Sequence, residues 1–277
     1  MPQKNIIINS LRESISSIWK NKSLFILLFI LQIVFFAILF FVSQNYLPKM
    51  LENAKAISDY LSQQKLDEIS MTQNILQQKN ILGDDPLSIS RNFNEMAKNF
   101  RIYLAYIFIL LIVFLSVFWT LTNRLVYKET IKQLRRYFFK VLIVLLFYLG
   151  LIFSFFYSIF NISFTEAAYE PSKIFAKYLL FLVASLILVY FMFISISLVD
   201  RTGFKNIVQK TLTIGIKKTH YILSVYFINI FLLIFSIGVL SYFIDNYFFI
   251  ALISLLLMFF SFIFGRIFLI NVVEKLD

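Results

Sequence analysis

Chemistry inside an apolar segment needs ionisable, amide or nucleophilic groups, and each is unfavourable enough in hydrocarbon to stand out against its neighbours. Three such positions stand out here: Gln32, Asn229 and Arg266, all set in long runs of Phe, Ile, Leu and Val. An amide in such a run finds an interhelical hydrogen-bond partner worth about 0.6–2 kcal/mol. A guanidinium either reaches the membrane surface along its own stem or faces a wet cavity. Gln32 and Asn229 are therefore expected to make structural pairs, and Arg266, like Lys177, to extend towards a span end. A substrate path lined by these residues is the alternative. Gly150, Ser154 and Ser158 add a small-xxx-small ridge suited to close helix packing or dimerisation.

The remaining side chains assemble no reaction. The single histidine, His220, stands beside Tyr221 at a span end, where an imidazole exposed at the interface is the plain expectation. There are no paired carboxylates, no His-Glu-x-x-His, no Gly-rich phosphate loop and no Gly-x-Ser-x-Gly elbow. Ser and Thr abound, and where a Lys or His stands at helical spacing, as Lys20 from Ser16 or His220 from Ser224, it lies at a span end, so none is expected to act as a base. The chain is expected to be no enzyme and to hold neither cofactor nor metal.

The elements that carry these residues follow from composition. Of 277 residues, 60% are hydrophobic, 35 are Phe, 15% are charged and none is Cys. A soluble domain is about 45–50% apolar and about 25% charged, so this chain carries more apolar surface than one globular core hides. That excludes a soluble enzyme, a disordered chain, a disulfide scaffold and a Cys-ligated zinc domain. The expected fold is all-α: a polytopic helical membrane protein.

A helix needs roughly 20 mainly apolar residues to cross about 30 Å of hydrocarbon. Six stretches qualify, at about 24–43, 102–122, 141–161, 174–199, 222–243 and 250–271. The first begins too late, runs too long and lacks the small-residue exit of a cleaved signal, so it is expected to stay. No Pro falls inside a span, which argues against the broken helices of secondary transporters.

Orientation follows from the loops, because basic residues near span ends are held on the cytoplasmic side. With the amino terminus inside, the cytoplasmic segments hold 16 basic and 5 acidic residues, the outer ones 8 and 10. Both termini are expected in the cytoplasm, in the cell membrane of a prokaryote. The net charge of +11 is thereby spread over short strips flanking spans, which suits anionic lipid headgroups and not nucleic acid.

Three basic, amphipathic stretches precede outgoing spans. Ile8, Leu11, Ile15 and Ile18 lead to Lys20 and Lys22; Ile131, Leu134 and Phe138 to Lys140; Phe204, Ile207, Leu212 and Ile216 to Lys217 and Lys218. Such helices suit the headgroup plane. Aligning Lys20, Lys140 and Lys217 gives offsets of 120 and 77, so one reading is three copies of an interfacial helix, an outgoing span and a returning span; the other is that inner loops collect basic residues by the orientation rule alone.

The excess in the first offset matches the outer loop, 45–101, expected to form an extracytoplasmic helical insertion. Met50, Ala54, Ile57 and Leu61, then Ile89, Phe93, Met96 and Phe100, follow heptad-like spacing and predict two helices continuing or abutting the spans. Ser70-Met71-Thr72-Gln73 as a capping box, Gly83 as a stop and Asp85-Pro86 as a start predict a third piece.

Ile18-Trp19-Lys20-Asn21-Lys22, and Gly203-Phe204-Lys205 followed by Lys217-Lys218, resemble the pattern of a set of uncharacterised prokaryotic six-span integral membrane proteins. Among them are those similar to the membrane domain attached to some glycerophosphodiester phosphodiesterases. The resemblance implies a six-span topology over most of the chain and carries over no functional residue. The functional expectation is a non-catalytic scaffold or accessory subunit for membrane partners or a second copy. The alternative is a permease subunit, of the ABC type, with helices at Gly203 to Ile216 or Lys128 to Phe139 docking a partner ATPase.

Overall fold

The computed structural model describes residues 6–71, 88–127, 130–159, 171–199, 204–243 and 247–277. Among them there is no strand, and eight helices follow in order: α1 (Ile6–Lys20), α2 (Lys22–Met71), α3 (Ser88–Tyr127), α4 (Ile131–Ile159), α5 (Pro171–Leu198), α6 (Phe204–Lys217), α7 (Thr219–Phe243) and α8 (Phe248–Leu276). Six of these, all but α1 and α6, are long and apolar enough to cross a membrane, and the chain is a multi-pass membrane protein. Gly83, Asp85-Pro86 and Gly203 lie outside the described residues. Ser70 and Met71 close α2, so within that range they end a helix.

The chain divides into two compact units. The first comprises Met1–Phe36, Leu111–Ile152 and Leu179–Asp277. Its spine is α8: Ile267 through Val273 are buried without a break, as expected of a helix apolar all round and enclosed by others. The helices around it keep an outward apolar face, with Phe227, Ile234, Leu180 and Leu186 all exposed. In lipid such residues meet acyl chains, so their exposure is no defect.

A recurring contact organises this unit. α1 and α6 end at Lys20 and Lys217, 197 residues apart, the total of the two offsets read from the sequence. A single residue then interrupts the helix, Asn21 in one case and Lys218 in the other. Asn21 Nδ2 donates to the carbonyl of Leu125, at 2.9 Å, in the last turn of α3. Lys218 Nζ donates to the carbonyl of Leu276, the last residue of α8. Between them, Lys140 Nζ donates at 3.1 Å to the carbonyl of Val199, directly after α5. Each outgoing span thus carries, at its start, the donor that satisfies an orphan carbonyl at the end of the returning span of the same copy.

The interfacial helices obey the same plan one copy out of step. α1 lies on α8: Asn271 Nδ2 donates to Ser14 Oγ at 2.8 Å, and Lys275 pairs with Glu13 at 2.8 Å. α6 lies on α5: Thr211 and Ser195 share a hydrogen bond of 3.1 Å, and Tyr190 donates to the carbonyl of Gly215 at 2.8 Å. Ser14 and Thr211, both buried, occupy the same place in the repeat. The middle copy departs from expectation. No separate interfacial helix precedes the span; α4 runs as one helix from Ile131 to Ile159. Its start is fixed by Gln133 reaching back, as in half of a capping box: the Thr130 amide and hydroxyl both donate to Gln133 Oε1, at 3.0 and 2.7 Å. Lys140 makes its cap through the side chain while its backbone stays helical.

The second unit comprises Ala37–Leu110 and Phe153–Tyr178. Here α2 and α3 form an antiparallel pair, with Ser43 Oγ and Tyr103 Oη 3.1 Å apart and the Tyr46 ring against those of Tyr103 and Tyr106. The expectation that the loop helices continue the spans holds: α2 is uninterrupted past Pro48. Phe93, Met96 and Phe100 are part-buried around the buried Ala97, and Met50 and Ile57 are part-buried as expected, whereas Ala54 is exposed.

Candidate intramembrane polar site

The level of the three end caps gives a reference depth in the first unit. Gln32 lies eleven residues beyond Asn21 on α2, and Asn229 eleven beyond Lys218 on α7, each about 16 Å of helix away. The two amides are 197 residues apart, the spacing that relates Lys20 to Lys217, and so hold one position of the repeat. Arg266 lies ten residues, about 15 Å, before Leu276 on α8. All three therefore stand at roughly half of a 30 Å hydrocarbon layer.

Neither amide is paired as expected. Gln32 is 2% exposed and its Oε1 has no hydrogen-bond partner. Asn229 Oδ1 is likewise buried and unpartnered, and the Asn229 amide fits against Gly265, whose missing side chain makes room: a Cβ there would stand 2.9 Å from Asn229 Cγ. Arg266 does not extend to a span end. Its guanidinium carbon sits 4.9 Å from the centre of the Phe118 ring on α3. Its Nε and Nη2 are buried without a partner, and among the described residues no carboxylate pairs with it. The reason is local: the run from Ile267 to Val273 is wholly buried, so no open path leads the stem to that end of α8. Lys177, by contrast, is exposed in the second turn of α5, as its position near a span end predicts.

Two further buried, unpartnered groups of the first unit were not singled out from sequence. Trp119, adjacent to Phe118, is 1% exposed with its Nε1 unpartnered, and its ring packs on Phe193. Ser185 Oγ on α5 is also buried without a partner. A tryptophan in an apolar span is a visible signal, but only packing shows that its N–H is left over. Most other hydroxyls are satisfied within their own helices, as Ser116, Thr120 and Thr122 are by Ile112, Ser116 and Phe118 carbonyls at 2.6–2.7 Å. The Gly150, Ser154 and Ser158 ridge is open: nothing lies within 4 Å of a Cβ placed at Gly150, and both serines are exposed. His220 is exposed, its ring tilted by 42° against that of Tyr221.

The start of α4 makes a second feature. A groove of about 380 Å³ is lined by Val117, Thr120 and Leu121 of α3 with Leu134, Arg135 and Phe138 of α4. An adjoining hollow of about 620 Å³ is edged by Lys132, Arg135 and Arg136. The groove falls where the repeat would place the contact made by Ser14 with Asn271 and by Thr211 with Ser195; Leu134 stands there instead.

Fold and contacts together define a multi-pass, all-helical membrane protein with buried, unpartnered polar side chains in its first unit. No protein-family model, curated protein or solved structure matches the chain.

Proposed function

We propose that this protein is a non-catalytic scaffold or accessory subunit for membrane partners, placed in the cell membrane with both termini cytoplasmic. The observation that carries the reading is the α2–α3 pair. With 50 and 40 residues, these helices are about 75 and 60 Å long, well beyond the 30 Å or so that a bilayer core needs. A span prolonged so far offers a rigid surface outside the lipid, and Leu51, 69% exposed among Lys49, Glu52, Lys55 and Asp59, is an apolar side chain presented there. A photo-crosslinking residue at Leu51 is expected to yield one discrete adduct, with the same partner co-purifying with the unmodified protein and lost on Leu51→Asp. Substrate flux catalysed by the purified protein alone in proteoliposomes would defeat the reading.

The basic strips are proposed to meet anionic lipid, above all at the start of α4. There, three cations without an ion-pair partner among the described residues edge an apolar groove. A permease subunit with α6 docking an ATPase is the second reading, favoured by the unpaired Arg266 at mid-depth. Co-purification of an ATPase, abolished by Lys205→Glu with Lys210→Glu, would select it.

A further inference from the structure

Among the described residues, the buried side-chain nitrogen and oxygen atoms that lack a hydrogen-bond partner belong to Gln32, Trp119, Ser185, Asn229 and Arg266. All five lie in the first unit, on five different helices, and Gln32, Asn229 and Arg266 share the central level. Orphaned polar atoms are rare in folded proteins and unfavourable in hydrocarbon, so three side chains carrying them at one level call for a common cause. An unpaired guanidinium is the most unfavourable of them, because cation–π contact with Phe118 offsets only part of its desolvation.

We infer that this layer is a binding site for a small organic carboxylate that also carries a hydrogen-bond donor, a hydroxy or amino acid, with Arg266 as its anchor. The unpartnered atoms of Arg266 are Nε and Nη2, the side-on fork whose two N–H groups match the two oxygens of a carboxylate. Gln32 Oε1 and Asn229 Oδ1, at the same level, are acceptors that suit the hydroxyl or amino group of the ligand. Nε and Nη2 are buried within the bundle, which suits a small molecule better than a partner helix about 10 Å wide. The repeat supplies the acceptors in pairs, since Gln32 and Asn229 hold equivalent places, and Gly265 removes the side chain that would displace Asn229.

The chain has two tryptophans, and Trp19 is 73% exposed, so Trp19→Phe leaves Trp119 as the sole emitter beside the site. In lipid nanodiscs at constant ionic strength, titration of this protein with lactate or glycine is expected to change Trp119 emission saturably. Acetate should bind at least tenfold more weakly, and chloride should give no saturable change. Arg266→Lys should weaken binding tenfold or more and Arg266→Met should abolish it. The ligand-free Arg266→Met protein should melt at least about 2 °C higher than its parent, the orphan charge being gone. Absence of a saturable response to all of these carboxylates would overturn the site, as would a response that survives Arg266→Met. A lower melting point of Arg266→Met would also overturn it, by showing that the arginine is already satisfied in the fold.

Discussion

Lys140 Nζ donates to the carbonyl of Val199 at 3.1 Å, and the same relation recurs from Asn21 to Leu125 and from Lys218 to Leu276. In each pair a residue opening one span closes the returning span of the same copy. A carbonyl at a helix end has no intrahelical donor, and near the apolar layer water is a poor substitute, so a lysine stem lying along the helix is an apt cap.

Removing these caps should weaken the fold in proportion to the charge of the donor. Lys140→Met and Lys218→Met are each expected to cost about 1.5–3 kcal/mol, and Asn21→Ala about 1 kcal/mol. Thermal or denaturant unfolding in detergent measures this; equal, negligible effects would mean the caps are surface contacts only.

Ser14 and Asn271 should behave as a coupled pair. Asn271→Leu alone leaves the buried Ser14 hydroxyl without its donor, at about 1–3 kcal/mol, and adding Ser14→Ala should restore part of that loss. A double-mutant cycle with no coupling would place the bond outside the stabilising contacts.

Gly215 marks where α6 meets α5. A Cβ there would stand 2.6 Å from Phe191 Cε1 and 3.3 Å from Tyr190 Cε1. Gly215→Ala is expected to destabilise by about 1–3 kcal/mol and Phe191→Leu to relieve it in the double variant. An unfolding midpoint unmoved by Gly215→Ala would show that α6 shifts freely on α5.

Retention of anionic phospholipid should depend on the start of α4. Arg135→Glu with Arg136→Glu is expected to reduce the phosphatidylglycerol or cardiolipin that stays bound in native mass spectra at least severalfold, each cation near the surface being worth about 1 kcal/mol. Equal retention in the variant would locate lipid binding elsewhere.

Orientation is open to a direct check because the chain has no native cysteine. Ser16→Cys and Ser62→Cys should label from opposite sides of the membrane with an impermeant maleimide, Ser16→Cys from the cytoplasm. Labelling from one side, or from the reverse sides, would reject the proposed placement of the termini.

The six long helices were readable because apolar runs of twenty or more residues have one stable backbone solution in lipid, whatever their partners. The start of α4 was readable too, in Thr130-Ile131-Lys132-Gln133, though this half of a capping box stands within a segment expected to be a separate interfacial helix. Whether Lys140 sits at a break or inside a continuous helix is not written locally: Lys20, Lys140 and Lys217 have similar neighbours, and packing against α3, α5 and α8 selects the outcome.

The amino-acid order alone determined that this chain is an all-helical, multi-pass membrane protein, and it marked Gln32, Asn229 and Arg266 as anomalies, since hydrophobicity and charge are properties each residue carries by itself. Only the tertiary structure decided that the anomalies share one level, that the two amides are repeat partners, and that Arg266 rests on Phe118 with its fork unpaired. Those facts depend on which helices face one another, and in an apolar solvent that is settled by the fit of side chains over the whole bundle.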